Sequence, residues 1–267
     1  MKQRVLTLVA LCAALLCTTG CFDIEQLIKL NADASGEAHM TVKVDMESMV
    51  KVMAGIKKSM TGEEGEPTAE ELEAVRKEML AEREQKDMQA EMEADKKRMI
   101  ENLPKGVELI KMEAKEDGLN MEIHMAFKFD HVSKLPEIET PDEPAEDDMG
   151  GMQGPEEPNP TKKPFEGLVV KDNGDTLEIS FKPNNPAEDA MEGAGEGGPP
   201  GMEDMVKEAF AGLKMAFKIE SAMPVVESNA PKTEGSTLIW SYDLKGMESM
   251  GKDESKSPRA VFKQEKK

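Results

Sequence analysis

Three groups of side chains in this sequence could do chemistry. Sulfur and imidazole come first. The chain holds 22 Met and 3 His (His39, His124 and His131), and His39-Met40 and His124-Met125 are adjacent pairs. Thioethers and imidazoles suit Cu(I). On a strand, however, Met121 and Met125 fall on the side opposite His124, and other Met recur at helical core spacing, where flexible thioethers fill gaps. No metal site is assigned. Carboxylates come second. Asp172-Asn173-Gly174-Asp175 offers oxygen ligands but lacks the length and terminal Glu of a calcium loop, and it reads as a tight turn. The sequence has no G-x-S-x-G, phosphate-binding loop or H-E-x-x-H. No catalytic residue and no cofactor are assigned. Trp240 and Tyr242 come third. They are the chain's one Trp and one Tyr, and they share a strand face. They are candidates for an apolar ligand groove, with core packing as the alternative.

Cysteine carries a sharper signal. All three copies, Cys12, Cys17 and Cys21, lie in the first 21 residues. Lys2 and Arg4 precede an apolar run of 12 residues, Val5 to Leu16. That is shorter than the ~20 residues needed to span a bilayer, and it suits the apolar region of a signal peptide. Thr18-Thr19-Gly20-Cys21 follows and resembles the lipobox of bacterial lipoproteins, although Thr18 stands where that pattern prefers Leu. The resemblance implies acylation of Cys21 and cleavage before it. Cleavage would leave one Cys, at the first position of the mature chain, without a disulfide partner in the chain. Several acyl chains hold firmly, because each buried methylene adds ~0.8 kcal/mol. Residues 1–20 are therefore expected to be a lipoprotein signal peptide. The protein is expected in the bacterial cell envelope, lipid-anchored to a membrane and facing the periplasm. Phe22 rather than Asp after the Cys favours the outer membrane.

The elements that follow read as strands around a helical insertion. Residues 23–31 and 37–44 form a hairpin about Asn31–Gly36. Asp45 caps a helix whose apolar positions include Met46, Met49, Val50, Met53 and Ile56. Thr68 to Glu71 is a capping box opening a long helix to about residue 102. The two helices are expected to form a helical hairpin inserted over 45–103. Residues 107–115 and 119–130 are a second strand pair, with Met121, Ile123, Met125, Phe127 and Phe129 on one face. Residues 136–164 hold seven prolines and nine acids and read as a disordered linker. A third hairpin spans 165–171 and 176–182, and a second linker spans 183–201. A short helix over 202–213 precedes strands at 214–227 and 236–243. Residues 251–267 are expected to be a disordered tail. The fold class expected is α+β: a curved antiparallel sheet of about eight strands in hairpin pairs, forming a single domain over 21–250.

The two ends of that domain resemble the LppM-like bacterial envelope lipoproteins. The resemblance lies in Cys21-Phe-Asp-Ile running into Lys29-Leu-Asn-Ala-Asp-Ala-Ser-Gly36, then in Met223-Pro-Val-Val-Glu-Ser-Asn-Ala230 and Gly235-Ser-Thr-Leu-Ile-Trp-Ser-Tyr242. It implies a lipidated Cys, a strand with a tight turn, and a closing strand pair, with an envelope or lipid-related role. The helical hairpin and both linkers lie outside it. Some members of that family carry a transmembrane helix near the C-terminus. Nothing downstream of Cys21 approaches ~18 apolar residues, so the acyl anchor is the expected membrane attachment.

Composition narrows the partners. With 34 Lys and Arg against 54 Asp and Glu, the net charge is -20. Clustered cations are what nucleic acids and anionic lipids require, so no nucleic-acid partner is expected. The leading expectation is a non-catalytic protein that binds an apolar ligand, a lipid or an envelope partner, with the Met-biased helical hairpin as the lid of a cup. The alternative is an interaction module that docks through the hairpin, and a hydrolase-type enzyme is a remote third.

Overall fold

The computed structural model describes residues 22–61, 65–85, 88–139, 163–182 and 210–264. The fold is α+β. Strands β1 (Phe22–Leu30) and β2 (Gly36–Asp45) form the first hairpin. In its turn, Asp33 Oδ1 accepts from the Ser35 amide at 3.1 Å and the Ser35 hydroxyl at 2.6 Å. Gly36 is required there, because a Cβ would sit 1.8 Å from the Lys29 carbonyl oxygen.

Helices α1 (Glu47–Met60), α2 (Ala69–Gln85) and α3 (Met88–Asn102) fill the insertion between β2 and β3. Asp45 accepts from the Glu47 amide at 3.0 Å and so caps α1. The capping box closes both ways at α2: the Glu71 amide donates to Thr68 Oγ1 and the Thr68 amide to Glu71 Oε2. These bonds hold the Glu71 carboxyl below its usual range. Strands β3 (Val107–Asp117) and β4 (Asn120–Phe129) follow, then a 3-10 turn at Val132–Glu137, then β5 (Leu168–Asp172) and β6 (Thr176–Phe181). The remaining elements are β7 (Lys214–Ser221), β8 (Val225–Ser228), β9 (Lys232–Glu234), β10 (Thr237–Asp243), α4 (Leu244–Lys252), a 3-10 turn at Glu254–Lys256 and β11 (Arg259–Lys263).

The strands divide between two sheets and do not form one curved sheet. Seven lie in the order β3-β4-β2-β1-β7-β10-β9 and four in the order β5-β6-β11-β8. The arrangement is also not wholly antiparallel. β7 runs parallel to β1, from Asp23↔Lys214 to Leu30↔Ser221. A parallel partner needs a long crossover, and here everything from residue 31 to residue 213 intervenes. The sequence stretch expected as one strand over 214–227 is two, because β8 leaves β7 at Ala222–Pro224 to join the second sheet.

The expected tail is partly core. Residues 259–263 form β11, a central strand of the smaller sheet, with Ala260 and Phe262 fully buried. Its short Arg-Ala-Val-Phe-Lys pattern hides in a lysine-rich stretch. The first linker is likewise shorter than expected. Val132, Leu135 and Ile138 are buried at one flank and Phe165 at the other, and Gln26 Nε2 donates to the Pro164 carbonyl at 2.7 Å. Residues 140–162, the second linker and most of the expected helix over 202–213 lie outside the described residues. Phe210 and Leu213, at the end of that stretch, are buried.

The main core lies between the two sheets. Phe181 of the smaller sheet stacks on Phe217 of the larger with ring centres 4.7 Å apart, and Phe217 meets Trp240 at 5.7 Å. Phe165 meets Phe127 edge-on at 5.7 Å.

Candidate functional site

The chemistry of a site would have to come from the residues singled out above, and the fold distributes them widely. Trp240 is 1% exposed. Its indole N–H donates to Asn229 Oδ1 at 2.9 Å. That same oxygen accepts from the Arg259 amide at 2.9 Å, while Asn229 Nδ2 donates to the Ser257 carbonyl at 2.8 Å. Trp240 is thus packed as core, with its polar atom spent on a clamp that fixes β11. Tyr242, two residues along the same strand, is half-buried and donates to the Lys256 carbonyl at 3.0 Å. Burial pushes its phenol up to about 12. Both aromatics serve packing, so the groove expected from them has Trp240 with no free face to offer.

Asn229 had no prominence in the sequence beyond its place in Met223–Ala230. Its role depends on β11, 30 residues further on, and no local pattern announces that contact.

The histidines stand apart from one another. His39 Nε2 lies 3.3 Å from Glu37. His124 Nδ1 lies 3.1 Å from Thr41 Oγ1, and its Nε2 lies 3.2 Å from Glu122. His131 accepts from the Ser133 amide and sits 3.5 Å from Asp172 across the elements. Met40 and Met125, the sequence neighbours of His39 and His124, are buried in the core. Among the described residues, no group of three or more His, Cys, Asp or Glu is placed to hold a metal ion.

Among the described residues, the carboxylates whose acidity is altered are all more acidic than usual. Lys43 does this to Glu122, Lys134 to Asp130, and Arg259 to Glu178. The Gly174 amide, which donates to Asp172 at 2.8 Å, does it there. A general acid at neutral pH needs the opposite shift.

Among the described Met of the insertion's stripe, Met79 and Met99 are buried, and Met46, Met49, Met53 and Met92 are partly buried against the apolar clusters. Val50 and Ala54 of α1 meet Val75 and Met79 of α2 over Leu119, while Val52 and Met99 join the main core. Arg83 fastens α2 to the sheet, reaching Glu116 at 2.9 Å and the Gly118 carbonyl at 3.0 Å.

Cys21 itself lies outside the described residues. The residue after it does not: Phe22 is already in β1, paired with Val44, and its ring stacks on Phe210 with centres 5.0 Å apart. No described helix is long and apolar enough to cross a membrane.

No family model matches the chain, and no curated protein matches it. Among solved structures, the NMR structure of the folded domain of LppM from Mycobacterium tuberculosis is similar, with 92% of this chain and 91% of that one covered, at a TM-score of 0.42 and 8% identity. Likeness of that size says nothing about chemistry, which has to come from the residues themselves.

Proposed function

We propose that this chain is a bacterial envelope protein tethered by acyl groups on Cys21, whose folded body works by binding a partner rather than by catalysis. The observation that carries this reading is the junction at residues 21 and 22. A lipobox-like signal ends at the chain's last Cys, and the very next residue starts the sheet. Processing at that point would remove the leader and leave the fold whole.

A binding role is supported by the state of the polar groups. The histidines are dispersed, and the shifted carboxylates are held ionised by cations and amides. A partner protein fits better than an enclosed apolar ligand, because the Met stripe that would line a cup is already packed. The faces of α2 and α3 that remain exposed are mostly charged, with Glu70, Glu73, Lys77, Glu78, Lys96 and Lys97 among them, and α3 also exposes Ile100.

Two measurements test the reading. The N-terminal peptide of the protein from a bacterial host should begin at Cys21 and carry the mass of a diacylglycerol. Cys21→Ser should abolish that mass and move the protein to the soluble fraction. An intact leader, or an unmodified thiol at Cys21, rejects the anchor. For the partner, photo-crosslinkers at exposed positions of α2 and α3 should give one discrete adduct in cells. A ladder of weak adducts, or none, rejects docking through the insertion.

A further inference from the structure

The seven-stranded sheet has one apolar face and one polar face, and the polar face is ordered. Follow the residues paired across the strands one step in from the start of β1. They run Lys115, Glu122, Lys43, Asp23, Lys214 and Asp243 on β3, β4, β2, β1, β7 and β10. Positive and negative charges alternate along the whole row. Within it, the Lys43 ammonium lies 3.1 Å from Glu122. The row balances to zero in a chain whose net charge is -20. Beside it opens a cleft of about 690 Å³, lined by Lys43, Lys115 and Lys214 and by the acids Asp23, Asp45, Glu116, Asp117 and Glu122. On the opposite face at this same end, Phe22, Val44 and Met121 are partly exposed, with the Phe22 ring stacked on Phe210.

This end is also where the anchor would attach. Consecutive Cα atoms are about 3.8 Å apart, so acyl chains on Cys21 would join the sheet with no spacer. β1 is a central strand, flanked by β2 and β7. A tether at its first residue fixes the strand ends around it close to the lipid.

We infer that this end of the seven-stranded sheet, with the Lys115–Asp243 charge row on one face and Phe22, Val44 and Met121 on the other, rests on the headgroup layer of the membrane that holds the anchor. The surface it fits is zwitterionic. Phosphate and ammonium in one headgroup complement alternating lysines and carboxylates, and the acidic remainder of the body gains nothing from an anionic layer. The turn at 31–35 and the loop at Gly235 then point away from the bilayer, about 30 Å off given the length of β1. This inference rests on the acyl anchor proposed above, and the experiment separates the two.

The acylated full chain needs no background cysteines removed, because the leader takes Cys12 and Cys17 and the lipid takes Cys21. Asn120→Cys at the charge row and Ala32→Cys at the opposite turn are both exposed sites. Each is labelled with an environment-sensitive fluorophore and reconstituted in phosphatidylcholine–phosphatidylethanolamine vesicles holding a headgroup-quencher lipid. Quenching should be several-fold stronger at 120 than at 32. Equal quenching, or stronger quenching at 32, in protein whose N-terminal mass shows the lipid overturns the orientation and leaves the anchor standing. A bare Cys21 in the same mass spectrum overturns both.

Discussion

The sheet sandwich and the helical insertion are stabilised in different ways. The sandwich holds the large fully buried side chains: Trp240, Phe127, Phe129, Phe217 and Phe262, with Phe165 beside them. The insertion has a small cluster of its own, Val50, Ala54, Val75 and Met79 over Leu119 of the sheet, and gives the main core Val52 and Met99 as buried residues, with Met49, Ile56 and Met92 partly buried against it. It makes up the difference with charge. Arg76 pairs with Glu47 on α1 and Glu73 on its own helix, Lys57 with Glu78, Lys58 with Glu71, and Arg83 with Glu116. Exposed ion pairs contribute little and are screened by salt. Buried aromatic area is not. The sandwich should therefore set the global stability, and the insertion should open locally at lower cost.

The largest effect should come from Phe217→Ala. Phe217 sits between Phe181 of the other sheet and Trp240 of its own, so its loss opens the junction of the two sheets. A cost of about 3–5 kcal/mol is expected for a buried Phe truncated to Ala. Denaturant melts should show it as a shifted midpoint with one transition. Met79→Ala should cost about 2 kcal/mol, the low end for a buried Met. Its effect should be confined: amides of α1 and α2 exchange faster, and those of β1, β2 and β7 do not. If strand amides accelerate equally, the two regions are one cooperative unit and the contrast fails. Raising ionic strength should reproduce the Met79→Ala pattern in weaker form.

Asn229→Ala sharpens the contrast from the sandwich side. It removes the acceptor of the Trp240 indole and the Arg259 amide and the donor to Ser257. The Trp240 indole N–H, bonded in a part-buried site, is the group whose loss of a partner costs roughly 1–3 kcal/mol, while the Arg259 and Ser257 partners are exposed to water. Exchange should quicken first in β11, the strand the clamp secures, while the insertion is unmoved.

What the sequence shows and hides follows the same division. The hairpin of β1 and β2, the capping box at Thr68–Glu71 and the alternation of β4 are local signals, and each can be read from a few neighbouring residues. The parallel pairing of β1 with β7 is not local, since the partners lie 191 residues apart from Asp23 to Lys214. β11 is hidden for a related reason. Arg259–Lys263 is a short segment flanked by lysines, and only its place between β6 and β8 makes it a buried strand. The aromatic pair shows the limit for sites. Trp240 and Tyr242 are visible as a shared face, but the choice between groove and core depends on Phe217 and Asn229, which the strand pattern does not indicate.

The smallest effect is the most selective, because pH separates the regions. On the acid side both contribute. Glu71 in the insertion and Glu122 and Glu178 in the sheets are held below their ordinary value of 4.5 by hydrogen bonds and cations. A carboxyl with a lowered folded-state pKa stabilises above its unfolded value, and that stability is lost as pH falls. Acid should thus loosen the insertion and the sandwich together. Between pH 10 and 12 the shift belongs to the sandwich: Tyr242 rises from 10.0 to about 12 through burial, while the Arg76 guanidinium of the insertion is raised from an already higher value by Glu47. Above pH 10 the unfolded chain sheds this proton and the folded one keeps it, so stability falls between pH 10 and 12. Tyr242→Phe should cost about 0.5–1.5 kcal/mol at neutral pH through the lost bond to the Lys256 carbonyl. It should also flatten the alkaline fall, leaving the acid limb unchanged. Melting temperatures of the two proteins, followed from acid through to about pH 12, would show parallel acid limbs and diverging alkaline ones. An alkaline limb equally steep in both would mean that the phenol of Tyr242 is not held neutral by the fold.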